Sequence, residues 1–217
     1  MMKVITIERE VLKKNDEIAE ENRSLFDEAG LFVINLLSSP GSGKTSVLER
    51  TLEKLKNELK IAVIEGDIQT SNDAERIAKI GIPAVQIVTK GSCHLDAKMV
   101  QNALNNFDLN NLDILFIENV GNLVCPAGFY LGEDLKVVLM STPEGDDKPL
   151  KYPTAFRKST VLIVNKVDLL PHLDFNINMA IENSLNINPD LKVFKTSCKT
   201  LEGIDDWCQW LKELKKK

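Results

Sequence analysis

The sequence has no long apolar run. Its best candidate, Leu31 to Leu37, carries Asn35 inside it and falls far short of the roughly 20 residues a membrane-spanning helix needs. Charge enters almost at once, at Glu8, Arg9 and Glu10, which leaves no room for the apolar core of a secretion signal. Cysteine is scarce: four residues, Cys93, Cys125, Cys198 and Cys208, with no CxxC pair among them. That excludes a dense disulfide framework, and the thiols are expected to be reduced, as in a cytoplasmic protein. A basic surplus is also missing, because 27 Lys and Arg face 32 Asp and Glu for a net charge of −5. Coating nucleic acid or an anionic membrane is therefore not its main business. Internal repeats and low-complexity segments are absent. What remains, 43% hydrophobic and 27% charged residues in a chain of 217, is an ordinary globule of one core domain plus an extension.

Residues 1–30 read as an N-terminal helical extension, charged and helix-prone over 8–29 and stopped by Gly30. Residues 31–217 read as the core domain. There, short apolar runs at Leu31–Leu37, Ile61–Glu65, Ala84–Val88, Asp113–Ile117, Leu135–Met140, Thr160–Val164 and Lys192–Lys195 alternate with amphipathic stretches at 45–58, 71–80, 95–107, 174–186 and 203–216. Alternating strands and helices predict right-handed crossovers and a three-layer α/β/α fold around a mostly parallel sheet. Two long loops, 119–134 and the proline-rich 141–159, are expected to be functional or mobile. The Lys215–Lys217 tail reads as solvated charge.

The strongest local signal is Ser38-Ser39-Pro40-Gly41-Ser42-Gly43-Lys44-Thr45, after a strand and before a helix. It resembles the P-loop of nucleoside-triphosphatases, in which glycines let backbone N–H groups wrap phosphate oxygens at a helix N-terminus. Lys44 is expected to reach the β- and γ-phosphates and Thr45 to offer its hydroxyl to Mg²⁺, with Gly41, Ser42, Gly43 and Ser46 completing the cradle. Ser38 stands where the first glycine is usual.

Asn165-Lys166-Val167-Asp168 follows a later strand and resembles the base-recognition motif of GTP-binding proteins. Guanine presents N1–H and an exocyclic amine on one edge, which a carboxylate at Asp168 can accept together. Adenine would leave that carboxylate unpaired, so the mismatch is rejected strongly. Asn165 is expected to reach N7 or bridge to the P-loop, and the Lys166 stem to lie over the base. Ser197-Cys198-Lys199, after the next strand, resembles the supporting loop for the guanine oxygen. A P-loop kinase is disfavoured by this motif.

Two acids end strands. Asp67, in Glu65-Gly66-Asp67-Ile68-Gln69-Thr70, and Glu118, in Ile117-Glu118-Asn119-Val120-Gly121, should face the crevice at the C-terminal edge of a parallel sheet. Each can hold Mg²⁺ directly or through water, or cap a loop. Asp67 is the candidate for positioning the attacking water. No arginine finger or glutamine is evident beside the P-loop, so slow intrinsic hydrolysis is expected. In the proline-rich loop, Lys148 or Lys151 can reach a phosphate or be a solvated lysine.

Of two histidines, His94 directly follows Cys93, and Cys125 precedes Pro126 in the loop after Glu118. Thiolate and imidazole together suit Zn²⁺ or Ni²⁺. Three such ligands fall one short of a closed structural zinc site, which points either to a two-fold dimer that joins two sets or to an open site that binds and releases. Cys198, Cys208 and His172 read as structural or bystander residues.

These strings occur in one order: the P-loop, Glu65-Gly66-Asp67, Cys93-His94-Leu95, Glu118 through Pro126, Asp147 through Pro153, and Asn165 through Asp168. Together they resemble the HypB family, GTPases that help insert nickel into nickel–iron hydrogenase, over about residues 10–214. The resemblance implies GTP hydrolysis, Mg²⁺, a GTP-dependent homodimer, and Cys93, His94 and Cys125 as nickel or zinc ligands at its interface. It also implies a companion nickel chaperone and the hydrogenase large subunit as partners. The alternatives are a urease-type nickel-insertion GTPase and a regulatory GTPase whose cysteines are structural. The urease family differs in placing cysteine and histidine around a proline in one tripeptide. An N-terminal cysteine cluster and a histidine-rich stretch, common in the HypB family, are not present here, so storage of several nickel ions is not expected.

Overall fold

The computed structural model describes residues 7–68 and 72–215. Gln69 and Thr70 of the acidic motif, and Lys216 and Lys217 of the tail, lie outside them. Seven strands, β1 Phe32–Ser38, β2 Ile61–Asp67, β3 Ala84–Val88, β4 Ile114–Glu118, β5 Leu135–Ser141, β6 Val161–Asn165 and β7 Lys192–Lys195, form one sheet in the order β3-β2-β4-β1-β5-β6-β7. Every adjacent pair is parallel. The longer helices are α1 Ile7–Glu28, α2 Lys44–Leu55, α3 Asn72–Lys79, α4 Ala97–Leu104, α7 Ile177–Ile187 and α8 Ile204–Lys215, with two short ones, α5 Lys148–Lys151 and α6 Pro153–Arg157. No described helix is long and apolar enough to cross a membrane.

Alternation along β1 sorts its side chains onto the two faces of the sheet. Ile34 and Leu36 point into a core with Phe116, Leu48, Leu52, Trp207 and Leu211, under α2 and α8. Val33 packs on the other face with Leu115, Ile117, Phe26 and Leu104, under α1 and α4. Trp207 is almost wholly buried, and its indole Nε1 donates to Thr51 Oγ1 at 3.0 Å, which ties α8 to α2. The extension is packed too: Phe26 and Asn22 are fully buried, and Asn22 Nδ2 donates to the Ala97 and Leu131 carbonyls.

The expected strands are all present, with ends displaced by one or two residues where a neighbour extends the ladder. β2 runs on to Asp67 because β3 pairs with it as far as Val88. Residues 141–159, expected as a long loop, instead fold into a 3₁₀ turn and two short helices. Pro143, Pro149 and Pro153 each sit in the first turn of one of these, where a missing N–H costs nothing.

Candidate nucleotide and metal site

The cradle follows from β1 ending at the middle of the sheet and α2 starting at once. Gly41 and Gly43 have φ of +77° and +89°, left-handed values that a side chain resists. At Gly43 the space is closed as well, since a Cβ would lie 2.6 Å from Asn165 Nδ2. Ser38, where a glycine is usual, is the last residue of β1 and needs no such conformation. A cleft of about 520 Å³ opens here, lined by residues 38–46 together with Asp67, Glu118, Gly121 and Lys166.

Glu118 is the hub of that cleft. It is 2% exposed, and its Oε1 accepts from Lys44 Nζ and from Thr45 Oγ1, each at 2.7 Å. Its Oε2 is buried without a partner. Glu65 lies beside it in register on β2, with its own Oε1 likewise orphaned. Burial, with the neighbouring Glu118 charge, pushes the Glu65 carboxyl up to about 10. The unpaired Glu118 Oε2 beside the Thr45 hydroxyl is the kind of donor set a hard divalent cation uses. Asp67 ends β2 on the cleft wall.

The Asn165–Asp168 motif and Ser197–Lys199 meet where β6, the turn after it, and the loop after β7 come together. Asn165 Nδ2 donates to the Ser42 carbonyl at 3.0 Å, the expected bridge to the P-loop, and its Oδ1 accepts from Thr196 Oγ1 at 3.1 Å. Lys166, at φ +62°, donates to the Gly41 carbonyl at 2.7 Å. Ser197 Oγ donates to Asp168 Oδ1 at 2.6 Å and accepts from Lys199 N at 3.2 Å. Ser197 therefore holds the Asp168 carboxylate while Cys198 packs beside Asn165, its Sγ 3.6 Å from Oδ1.

Cys93, His94 and Cys125 come together from two loops, one before α4 and one after β4. Their ligand atoms all lie within 4.8 Å of one another, and all three residues are partly exposed. Cys93 Sγ is 3.7 Å from His94 Nδ1. A hydrogen bond shared with Cys125, followed by burial and then by the nearby Cys125 charge, raises the Cys93 thiol. Burial lowers His94 towards neutral imidazole, and its ring stacks on Phe129 with centroids 3.9 Å apart. A bound divalent cation would reverse the thiol–thiol penalty and accept the neutral imidazole. Cys198 and Cys208 lie away from this group. His172 is exposed.

Several residues here escaped sequence reasoning. Arg76 reaches the cleft wall from α3, its guanidinium on Glu49 at 2.6 and 2.9 Å, on Asp73 at 3.0 Å and on Ser46 Oγ at 3.3 Å. Nothing in its helical context marks it. Of the two loop lysines singled out from the sequence, Lys148 Nζ lies 3.0 Å from Ser39 Oγ and 3.4 Å from Glu144, whereas Lys151 pairs with Asp147 at the surface. Burial alone would raise Glu144, but hydrogen bonds from Ser42, Ser141 and Ser39 hold it low. Glu65 carried a usable signal, an acid inside an apolar strand.

The family model "CobW/HypB/UreG, nucleotide-binding domain" matches residues 32–195. The hydrogenase maturation factor HypB of Azotobacter vinelandii is 52% identical over 209 residues, 96% of this chain and 69% of the relative. The hydrogenase/urease maturation factor HypB of Helicobacter hepaticus is 45% identical over 206 residues, 93% of this chain and 84% of the relative. Among solved structures, HypB from Helicobacter pylori in complex with nickel superposes with a TM-score of 0.89 at 41% identity, covering 94% of this chain and 95% of that one.

Proposed function

The chain belongs to the HypB branch of the CobW/HypB/UreG family, and from that premise we propose that it is a cytoplasmic GTP-hydrolysing metallochaperone for nickel insertion into hydrogenase. The observation that carries this reading is the meeting of Cys93 and His94, before α4, with Cys125, on the loop that leaves β4 directly after Glu118. Cargo site and nucleotide site therefore share one segment. Residues 31–217 act as the GTPase unit and 1–30 as its extension.

GTP enters the cleft with its base against Asp168, held by Ser197, and its phosphates in the cradle from Gly41 to Ser46. Lys44 then exchanges Glu118 for the β- and γ-phosphate oxygens. Thr45, Glu118 and Asp67 are the residues that would hold Mg²⁺, which neutralises phosphate charge when bound. Asp67 orients the attacking water, and with no arginine among the described residues lining the cleft beyond Arg76 the intrinsic rate is slow. Arg76 is committed to Glu49 and Asp73 instead.

Three ligands leave a coordination position open for exchange. A second copy of the chain supplies the dimer in which two such sets meet, and GTP favours that dimer. Ordering of the segments carrying Asp67 and Glu118 by γ-phosphate changes affinity at the Cys/His group, and nickel passes to a companion chaperone or the hydrogenase large subunit. Zn²⁺ competes for the same donors.

Nickel titration in GDP and in a non-hydrolysable GTP analogue, followed by thiolate-to-nickel absorbance, tests the reading. A stoichiometric signal that depends on nucleotide and disappears in Cys93→Ser supports it. Absence of thiolate absorbance in both nucleotides would leave a GTPase switch with structural cysteines. Delivery to urease is the second reading, favoured by the Helicobacter hepaticus relative; transfer to apo-hydrogenase against apo-urease separates the two.

A further inference from the structure

A closed path of buried contacts runs beneath β1 and returns to His94 from both sides. Asn119 is fully buried. Its Oδ1 accepts from Leu95 N and from Val120 N, each at 3.0 Å, and its Nδ2 donates to Asn35 Oδ1 at 3.3 Å. Asn35, also fully buried, donates through Nδ2 to Glu133 Oε1 at 3.3 Å. Glu133 pairs with Lys136 at 3.2 Å, both 7% exposed. Lys136 Nζ then donates to the Phe129 carbonyl at 2.9 Å, and the Phe129 ring stacks on His94.

Two peptide units join this path to the two sites. The N–H that Asn119 holds belongs to the peptide between His94 and Leu95. The carbonyl of that same peptide, His94 O, accepts from Ser92 Oγ at 3.0 Å, so it is fixed at both ends. At the other side Asn119 is bonded through its own N to Glu118, the residue that grips Lys44 and Thr45. Packing repeats the connection. Leu95 is fully buried against Gly66, where a Cβ would lie 2.7–2.9 Å from the leucine side chain, and Gly66 stands between Glu65 and Asp67.

From this arrangement we infer that Asn119 is the positioning residue that couples the nucleotide site to the metal ligand His94. The inference rests on the proposed dependence of nickel affinity on nucleotide. Exchange of Glu118 from Lys44 and Thr45 to a cation shifts the strand end that carries Asn119. The accepted Leu95 N–H moves with Asn119 or is lost, and the His94 backbone moves with it. Buried polar networks of this kind hold discrete arrangements, because a half-made one leaves unpaired groups away from water. The Asn35–Glu133–Lys136–Phe129 arm keeps the imidazole ring oriented meanwhile.

The test is the ratio of nickel affinities in GTP analogue and GDP, measured on the full chain as wild type and as Asn119→Ser. Allosteric couplings typically span about 5- to 150-fold, so the wild type is expected to change by about 5-fold or more. In Asn119→Ser the ratio falls to about 1, while thiolate-to-nickel absorbance persists and nucleotide affinity stays within about threefold. An unchanged ratio in Asn119→Ser overturns the assignment of Asn119 alone. A wild-type ratio of 1 overturns the coupling itself and the assignment with it. Should Asn119→Ser fail to fold, amide exchange at Leu95 in the wild type decides: protection that differs between the two nucleotides supports the assignment, and identical protection overturns it.

Discussion

Glu65 and Glu118 stand side by side in register on β2 and β4, and only Glu118 has cationic and hydroxyl partners, Lys44 and Thr45. Two buried carboxyls this close cannot both ionise cheaply, and Glu65, which lacks a cationic partner, is the one held protonated.

That division sets a pH dependence. The unfolded chain ionises Glu65 near the usual carboxylate range of about 4, while the folded carboxyl is pushed up to about 10. Between those values the folded state binds the extra proton, so stability falls as pH rises through that window. Thermal melts of the nucleotide-free protein from pH 6 to pH 9 should show a declining Tm. Glu65→Gln should flatten that decline, and an identical slope in the variant would contradict the assignment.

Asp168→Asn exchanges an acceptor for a group that also donates. Guanine then loses its two-point partner, whereas xanthine, with a carbonyl in place of the amine, gains one. GTP affinity should fall by about 100-fold or more and xanthosine triphosphate should bind better than to wild type, as loss of a polar partner in a buried site predicts. Competition with a fluorescent nucleotide measures both.

Lys44→Ala should remove the charge-assisted phosphate contact proposed for Lys44, worth about 1.5–3 kcal/mol. GTP should bind roughly 10- to 100-fold more weakly, and single-turnover hydrolysis should become undetectable. Isothermal titration and phosphate release read the two effects separately.

Cys125→Ser replaces a soft thiolate donor with a hydroxyl, so thiolate-to-nickel absorbance should drop and nickel affinity fall by about tenfold or more. His172→Ala, at an exposed position, should leave nickel binding as it was. Equal losses in both variants would disconnect the Cys93–His94–Cys125 group from nickel.

Trp207→Phe keeps most of the apolar contact of α8 but leaves Thr51 Oγ1 without its indole donor. A destabilisation of about 1–2 kcal/mol is expected in urea unfolding, with GTP affinity unchanged because the Trp207–Thr51 contact lies well along α2 from Lys44 and Thr45 and neither residue lines the cleft.

Much of the nucleotide site was legible because its chemistry is local. Residues 38–45 form the P-loop by contiguous geometry, and Asn165 to Asp168 are contiguous at the end of β6. The fold was legible for a related reason: seven apolar runs separated by amphipathic stretches admit few parallel arrangements. The three-turn path of residues 141–159 was less so, since its prolines read equally as loop breakers and as first-turn residues. Arg76 and Glu144 gave no sign because their roles depend on what packs beside them.

The sequence by itself determined the strand–helix alternation, the phosphate cradle, the Asn165–Asp168 turn and the presence of soft metal donors, each carried by neighbouring residues whose backbone and side-chain chemistry act over a few ångströms of chain. Only the tertiary structure decided that Glu65 lies against Glu118, that Cys93 and Cys125 share one site, and that Asn119 binds the backbone beside His94. Those relationships depend on strand order and register. Placing β4 between β1 and β2 brings three distant segments to one sheet edge, and no local propensity encodes that adjacency.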